Sequence, residues 1–308
     1  MTAPWWNALA VLPSLLLSPL LLGVIGKTKA LVAGRKGAPL LQPYLDLIRL
    51  LGKGAVYSRT STWVFRAAPA VSLAAILLAG FMLPAGPLSP PLAFPGDLVL
   101  FAYLLALSRF AVIAGAMDTG SAFEGMGASR EAAFSAFAEP AFFLVLGVLA
   151  WEEKSLSLGV ILGGADVLSW SAQIPPLALA AAALFLILLA ENSRIPVDDP
   201  ATHLELTMIH EVMVLDHSGP DLAFILYGSA LKLWLFSAVL VSMLMPAGGP
   251  PWASMALFLG GMAGVAVLVG LVESVMARLR LVRVPQLLGL AAVLAGLAAL
   301  LLMAGGAP

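Results

Sequence analysis

Eight apolar runs, each close to the length that a helix needs to cross a bilayer, leave this chain little choice of architecture. They lie at about residues 7–26, 67–85, 97–117, 132–151, 173–191, 222–245, 252–273 and 285–305. A spanning helix takes roughly 20 mostly apolar residues, and in lipid only a structure that satisfies its own backbone can span. Charge agrees with this reading. Only 11% of the residues are charged, less than half the ~25% of a soluble domain. The expected fold class is an all-α integral membrane protein with about eight transmembrane helices. It should form a single membrane domain over 1–308, with amphipathic helices in its cytoplasmic loops. No internal repeat is visible, which argues against a stand-alone carrier built on inverted halves.

The basic residues set the expected topology. Loops at about 27–66, 118–131, 192–221 and 274–284 hold 13 of the 16 lysines and arginines. The opposite loops hold Lys154 alone, and Arg109 and Lys232 fall inside apolar runs. Basic loops stay cytoplasmic during insertion, so both termini are expected outside. Trp5, Trp6, Trp151, Trp170 and Trp252 fall near the outer interface, as an aromatic belt would. The first run has no basic region before it, so it is expected to be a span and not a cleaved signal. There is no cysteine, so disulfides and cysteine-ligated iron–sulfur clusters are excluded from this chain. Any redox centre must sit in a partner, and no nucleic-acid partner is expected.

One polar stretch interrupts the apolar pattern: "ENSRIPVDDPATHLELTMIHEVMVLDHSGPD", residues 191–221. It carries seven of the 17 acidic residues and all three histidines. Asp199-Pro200 reads as a helix start and Gly219-Pro220 as a stop. Leu204, Met208, Val212 and Leu215 then form an apolar stripe, with His203, His210 and His217 on one face. An amphipathic helix at the inner membrane surface is expected. Its polar face is either simply solvated or a surface for proton handling or docking. Histidines seven apart on a helix stand on the order of 10 Å apart, too far to share a metal, and no metal site is expected.

Within the runs, Arg109, Glu139 and Lys232 are charges that a bilayer does not tolerate without partners, and Glu191 sits at the end of the fifth run. Pro140, next to Glu139, should kink its helix and free a carbonyl near residue 136. Glu139 is then either a proton station or one half of an ion pair with Arg109 or Lys232. The first loop holds eight bases against one acid, Asp46. Its "GRKGAP" turn leads into an amphipathic "LLQPYLDLIRLLGK", where Leu47, Leu50 and Leu51 form a stripe. That segment suits anionic lipid or subunit docking.

Four separated motifs together resemble one family: subunit 1 (H-type) of respiratory complex I and the matching membrane subunit of membrane-bound nickel–iron hydrogenases. They are "RKGAPLLQPYLDLIRLLGK", "GASREAAFSAFAEP", "ENSRIPVDDPATHLELTMIHE" and "ESVMARLRLVRVPQ", in the family's order from about residue 27 to 286. The family pattern has Pro-Phe-Asp where this chain reads Ile195-Pro196-Val197-Asp198-Asp199. That departure and the histidines look more like the hydrogenase-associated, formate-hydrogenlyase or hydrogenase-4-like branch.

The resemblance implies a non-catalytic membrane subunit where the membrane arm meets a cytoplasmic redox arm. It implies no cofactor in this chain, a nickel–iron centre and iron–sulfur clusters in partners, and a bacterial or archaeal cytoplasmic membrane. Those partners would be hydrogenase-like large and small subunits, an iron–sulfur subunit and antiporter-like membrane subunits, with membrane lipid around them. Coupling roles are expected for Glu139, Glu191, Asp198, Glu205 and Glu211, tuned by Arg109 and Lys232. Docking or cavity roles are expected for Arg35, Gln42, Asp46, Arg130, Arg194, Asp199, His203 and His210. The alternative is a quinone-cavity subunit of an NADH:quinone oxidoreductase, with quinone as a ligand. A plain anchor, whose charges only satisfy one another, is the remaining reading.

Overall fold

The computed structural model describes residues 9–163, 174–198, 208–245 and 249–305. Eight helices among them are long and apolar enough to cross a membrane: α1 (Leu12–Val32), α3 (Trp63–Gly80), α4 (Asp97–Asp118), α5 (Ala122–Glu152), α7 (Ile174–Glu191), α8 (Gly219–Leu244), α9 (Pro251–Val275) and α10 (Val284–Gly305). Two shorter helices, α2 (Gln42–Leu51) and α6 (Leu158–Ile161), lie between them. The chain is an all-α, multi-pass membrane protein. The helices alternate in direction, so the segments 33–62, 119–121, 192–198, 208–218 and 276–283 gather at one end, called here the polar end. Trp151 and Trp252 are exposed near the opposite end.

The core is built on α8, the most enclosed of the eight, with Leu231, Trp234, Leu235, Phe236 and Val239 all buried. Phe236 meets Phe142 of α5, and Trp234 meets Phe258 of α9 edge-on. The outermost helices are α9 and α10. Three spans carry an internal proline (Pro19, Pro69 and Pro140), each removing one backbone donor. In α1 the consequence is visible. Pro19 leaves the Leu15 carbonyl without its helical partner, and the Tyr227 hydroxyl of α8 donates to that carbonyl at 2.8 Å. The Tyr44 hydroxyl, from α2, donates to the next carbonyl, Leu16, and accepts from Leu20, inserting itself into the ladder.

Four expectations need correction. The fourth span begins not near 132 but at Ala122, and is 31 residues long. The polar residues that suggested a loop, Glu124, Arg130 and Glu131, turn inward to partners instead. The second span starts at Trp63, four residues early, because Thr62 caps it: its Oγ1 accepts from the Val64 N–H at 3.2 Å. Gly219-Pro220 starts a helix and does not stop one, as suits a proline whose missing N–H is no loss in a first turn.

The described part of the acidic stretch, Met208–Ser218, is not an amphipathic helix. It is irregular, with one 3₁₀ turn at Glu211–Val214. The Asp198 carboxylate takes the N–H groups of Ile209 and His210, both at 3.1 Å, a local alternative to helical bonding. Val212 and Met213 are buried, and Gly127 of α5 leaves room for them.

The tyrosine caps of α1 make a prediction. Tyr227→Phe should cost about 1 kcal/mol by orphaning the Leu15 carbonyl, a typical value for a hydrogen bond within a membrane. In a Pro19→Ala background, residue 19 again donates to Leu15, and the same substitution should cost close to nothing. Thermal unfolding of the four detergent-purified forms measures the difference. Equal costs in both backgrounds would refute the cap.

Candidate functional site

The site starts from Arg109 of α4, nine residues in from the polar end of its helix, or roughly 13 Å. A guanidinium there cannot face lipid, and it meets three carboxylates. Nη1 lies 2.5 Å from Oε1 of Glu139. Nη2 lies 2.6 Å from both oxygens of Glu191. Nε lies 3.4 Å from Oε1 of Glu131. Residues 131 and 139 share a face of α5, eight apart, and Glu191 closes α7. Lys232 of α8 adds a second cation, 2.7 Å from Oε2 of Glu191. The expected ion pair of Glu139 is therefore with Arg109, while Lys232 serves Glu191.

His210 carries the network towards the polar end. Its Nε2 stands 3.1 Å from Oε2 of Glu131, and its Nδ1 stands 3.3 Å from Oδ2 of Asp198. The other oxygen of Asp198 pairs with Arg278 at 2.7 Å. Burial opposes the charge of His210, but the carboxylates of Glu131 and Asp198 outweigh it and raise the pKa to about 9. Burial likewise opposes ionisation of Asp198, and hydrogen bonding and charge from His210, with Arg278 beyond, keep it below the usual carboxylate range. The chain of contacts therefore runs unbroken: Arg278, Asp198, His210, Glu131, Arg109, Glu191, Lys232.

Local backbone sets these positions. At the end of α7 the Arg194 N–H bonds to Leu189 O at 2.9 Å and the Ser193 N–H to Ala190 O at 3.4 Å, the reversal of a Schellman cap. Ser193 occupies the left-handed position of that cap, with φ of 55°, where glycine is usual. The reversal sends buried Arg194 back to Glu273 of α9, 3.4 Å away, which Lys29 of α1 also grips at 2.8 Å. Desolvation lowers the pKa of Arg194, and the charge of Glu273 partly restores it. Arg130 braces the acidic segment by donating to Met208 O at 2.9 Å.

A cavity of about 180 Å³ lies on the polar-end side of Arg109. Arg109, Glu131, Glu191, Asp198, His210, Glu211 and Lys232 all line it, together with Ser72, Ser108, Ser229 and Asn192. On the other side of Arg109 a smaller void of about 30 Å³ touches Glu139 and Glu191. The Glu139 side chain is 43% exposed on the outside of the bundle.

The sequence-level site residues fare unevenly. Arg109, Glu139, Glu191, Asp198, His210 and Lys232 are brought into one network, and Glu211 and Arg194 line its cavity. His210, expected in a docking or cavity role, lines the same cavity. Arg35, Gln42 and Asp46 stand apart: Arg35 is exposed, and Gln42 binds Asp46 at 2.8 Å along α2. Asp199, His203 and Glu205 lie outside the described residues. His217 does not share a face with His210, but stacks on Phe65 with ring centroids 4.0 Å apart. Reading by sequence missed Glu131, Glu273, Lys29 and Arg278. For Glu131 a signal existed, since eight-residue spacing from Glu139 places both on one helical face.

A family model described as NADH dehydrogenase matches residues 6–304. The chain belongs to this NADH dehydrogenase family. Among curated relatives it is 32% identical to formate hydrogenlyase subunit 4 of Escherichia coli (strain K12) over 283 residues, 88% of this chain and 89% of that protein. It is 30% identical to hydrogenase-4 component C of the same organism over 291 residues, 92% of this chain and 91% of that one. A chain of the membrane-bound sulfane sulfur reductase, an archaeal respiratory membrane complex, superposes with a TM-score of 0.81 at 22% identity, covering 96% of this chain and 97% of its own. That likeness shows the fold. The hydrogenase-branch resemblance of the sequence motifs agrees with the first two relatives.

His210 makes the network sensitive to alkali. Its folded-state pKa, about 9, lies above the ~6.5 of a free histidine. The resulting stabilisation is complete below pH 6.5 and is lost as pH rises through 9. Wild-type protein should therefore be more stable than His210→Gln at pH 6, and the gap should close by pH 9.5. Thermal melts across that range test this; a pH-independent gap would contradict it.

Proposed function

We propose that this chain is the membrane coupling subunit of an energy-converting nickel–iron hydrogenase complex of the formate-hydrogenlyase kind, joining a cytoplasmic redox arm to ion movement in the membrane. The observation that carries the reading is the unbroken line of charged groups from Arg278 and Asp198, at the polar end, to Arg109, Glu191 and Lys232 inside the bundle. A plain anchor needs no such line, because isolated pairs would satisfy its charges at less desolvation cost. The names of the two hydrogenase-associated relatives supply the branch.

In this reading the polar end faces the cytoplasm of a bacterial or archaeal cell, following its lysines and arginines, and both termini face outside. The nickel–iron centre and iron–sulfur clusters belong to hydrogenase-like large and small subunits and an iron–sulfur subunit docked there. The coupled ion is a proton. His210 holds it between Asp198 and Glu131, giving it from Nε2 to Glu131 while Nδ1 stays bonded to Asp198. The cavity has room for about six waters, and its serines and the unpartnered Oδ1 of Asn192 suit water. Protons thus reach Glu191, whose contacts with Arg109 and Lys232 must loosen for it to take one.

The exit is Glu139. A carboxylate 17 residues into α5 and 43% exposed would meet hydrocarbon if nothing covered it. It therefore marks the contact with an antiporter-like membrane subunit.

Two predictions follow from these roles. Glu139→Gln and Glu191→Gln should leave the complex assembled, with hydrogenase turnover by soluble dyes unchanged, while proton movement into vesicles falls at least tenfold. Undiminished pumping by the assembled variants would refute the coupling role. Purification through this subunit should bring down nickel with a hydrogenase-like large subunit. The cavity's apolar wall (Ile76, Val112, Met213, Ile225 and Leu226) favours one second reading, a quinone-cavity subunit. A nickel-free redox arm with bound quinone would decide for it.

A further inference from the structure

We infer that α2 is a binding site for an anionic phospholipid, with an acyl chain lying along Leu41, Leu45 and Ile48 and the phosphate held by Arg49 and Lys53. The argument begins with where α2 sits. It does not lie across the polar end of the bundle, where a soluble arm would stand. Leu40, just before it, packs its backbone directly on Gly23 of α1, inward of Lys27. The Tyr44 hydroxyl reaches Leu16, 11 residues or roughly 16 Å inward of Lys27 along α1. At its other end the chain returns to the polar end, where the Gly54 backbone meets Gly219 at the start of α8. The helix thus climbs the side of α1 and α8, from hydrocarbon depth to headgroup depth.

Its outward face matches that climb. Leu41, Leu45 and Ile48, one helical stripe, are 59%, 44% and 66% exposed, and Gln42, Tyr44 and Leu47 turn partly inward. Bases stand at the upper end of the stripe. Of the eight in the first loop, Lys29 is committed to Glu273, Lys27 to the Lys36 carbonyl and Arg66 to the Tyr57 ring. Arg35, Lys36, Arg49, Lys53 and Arg59 are exposed, and among the described residues only Arg49 has a carboxylate nearby, Asp46 at 3.7 Å. An apolar stripe at bilayer depth topped by exposed bases, of which Lys53 has no carboxylate nearby among the described residues and Arg49 only the exposed Asp46 at 3.7 Å, complements one kind of molecule, a lipid with a negative headgroup. An acidic protein would satisfy the bases but not the stripe.

The test uses the intact complex in nanodiscs, labelled with photoreactive phosphatidylglycerol or photoreactive phosphatidylcholine, the labelled peptides being identified by mass spectrometry. Labelling of peptide 41–53 by phosphatidylglycerol should exceed that by phosphatidylcholine several-fold. Arg49→Gln with Lys53→Gln should reduce phosphatidylglycerol labelling several-fold, to the level of phosphatidylcholine, and leave phosphatidylcholine labelling alone. Arg49→Lys with Lys53→Arg should keep it, and this pair serves if the neutral pair fails to assemble. Equal labelling by both lipids overturns the proposal. So does absence of lipid label where α2 instead cross-links to a partner subunit.

Discussion

A guanidinium buried among three carboxylates is the constraint from which the rest of this structure follows. Removing Arg109 from water costs several kcal/mol, and only close partners repay it. Those partners come from α5 and α7, with Lys232 of α8 locking the second. Four helices are thereby fixed in rotation and in depth, since a one-residue turn of any of them would part its charge from its partners. Lys232 and Arg109 face Glu131, Glu139 and Glu191, two cations against three carboxylates. His210, protonated near neutral pH, supplies the third positive charge.

The polar backbone around the network obeys the same economy. A loop between spans exposes N–H and C=O groups, and inside a membrane protein these need partners. Asp198 takes two N–H groups from the acidic segment while pairing with Arg278. Asp118 does the same work at the start of α3, accepting from the Thr62 N–H at 2.6 Å and the Phe65 N–H at 3.2 Å. In each case one carboxylate ends an element and binds two segments together. The irregular described stretches 192–198 and 208–218 are tolerable because they line a polar cavity instead of meeting lipid.

Much of this was legible in the sequence, and the reasons divide cleanly. The spans were, because each is a continuous apolar run and the bilayer leaves no alternative. Arg109, Glu139, Glu191 and Lys232 were, because a charge inside such a run must have a partner. Glu131 was legible only through its spacing from Glu139: hydropathy reads a polar helical turn facing a polar interior as a loop, so α5 seemed to begin ten residues late. The acidic segment misled in the opposite sense. Its apolar residues recur at helical spacing, but Val212 and Met213 are buried by packing against α5 while Asp198 takes the backbone donors a helix would use. Glu273 was hidden because its partners, Lys29 and Arg194, lie 244 and 79 residues away, a pairing no local pattern encodes.

The distances within the network say where it can change. Around Glu191 the contacts are 2.6 and 2.7 Å, two cations on one carboxylate, and nothing there can move without exposing a charge. Around Glu131 they are 3.1 and 3.4 Å. Glu131 is the looser joint, and it lies between the loop that carries His210 and the helix that carries Arg109. A shift of the acidic segment by a fraction of an ångström would therefore change the His210–Glu131 contact first and the Arg109–Glu131 contact next. The tight pairs inside would feel that change through Arg109, which Glu131 shares with Glu139 and Glu191.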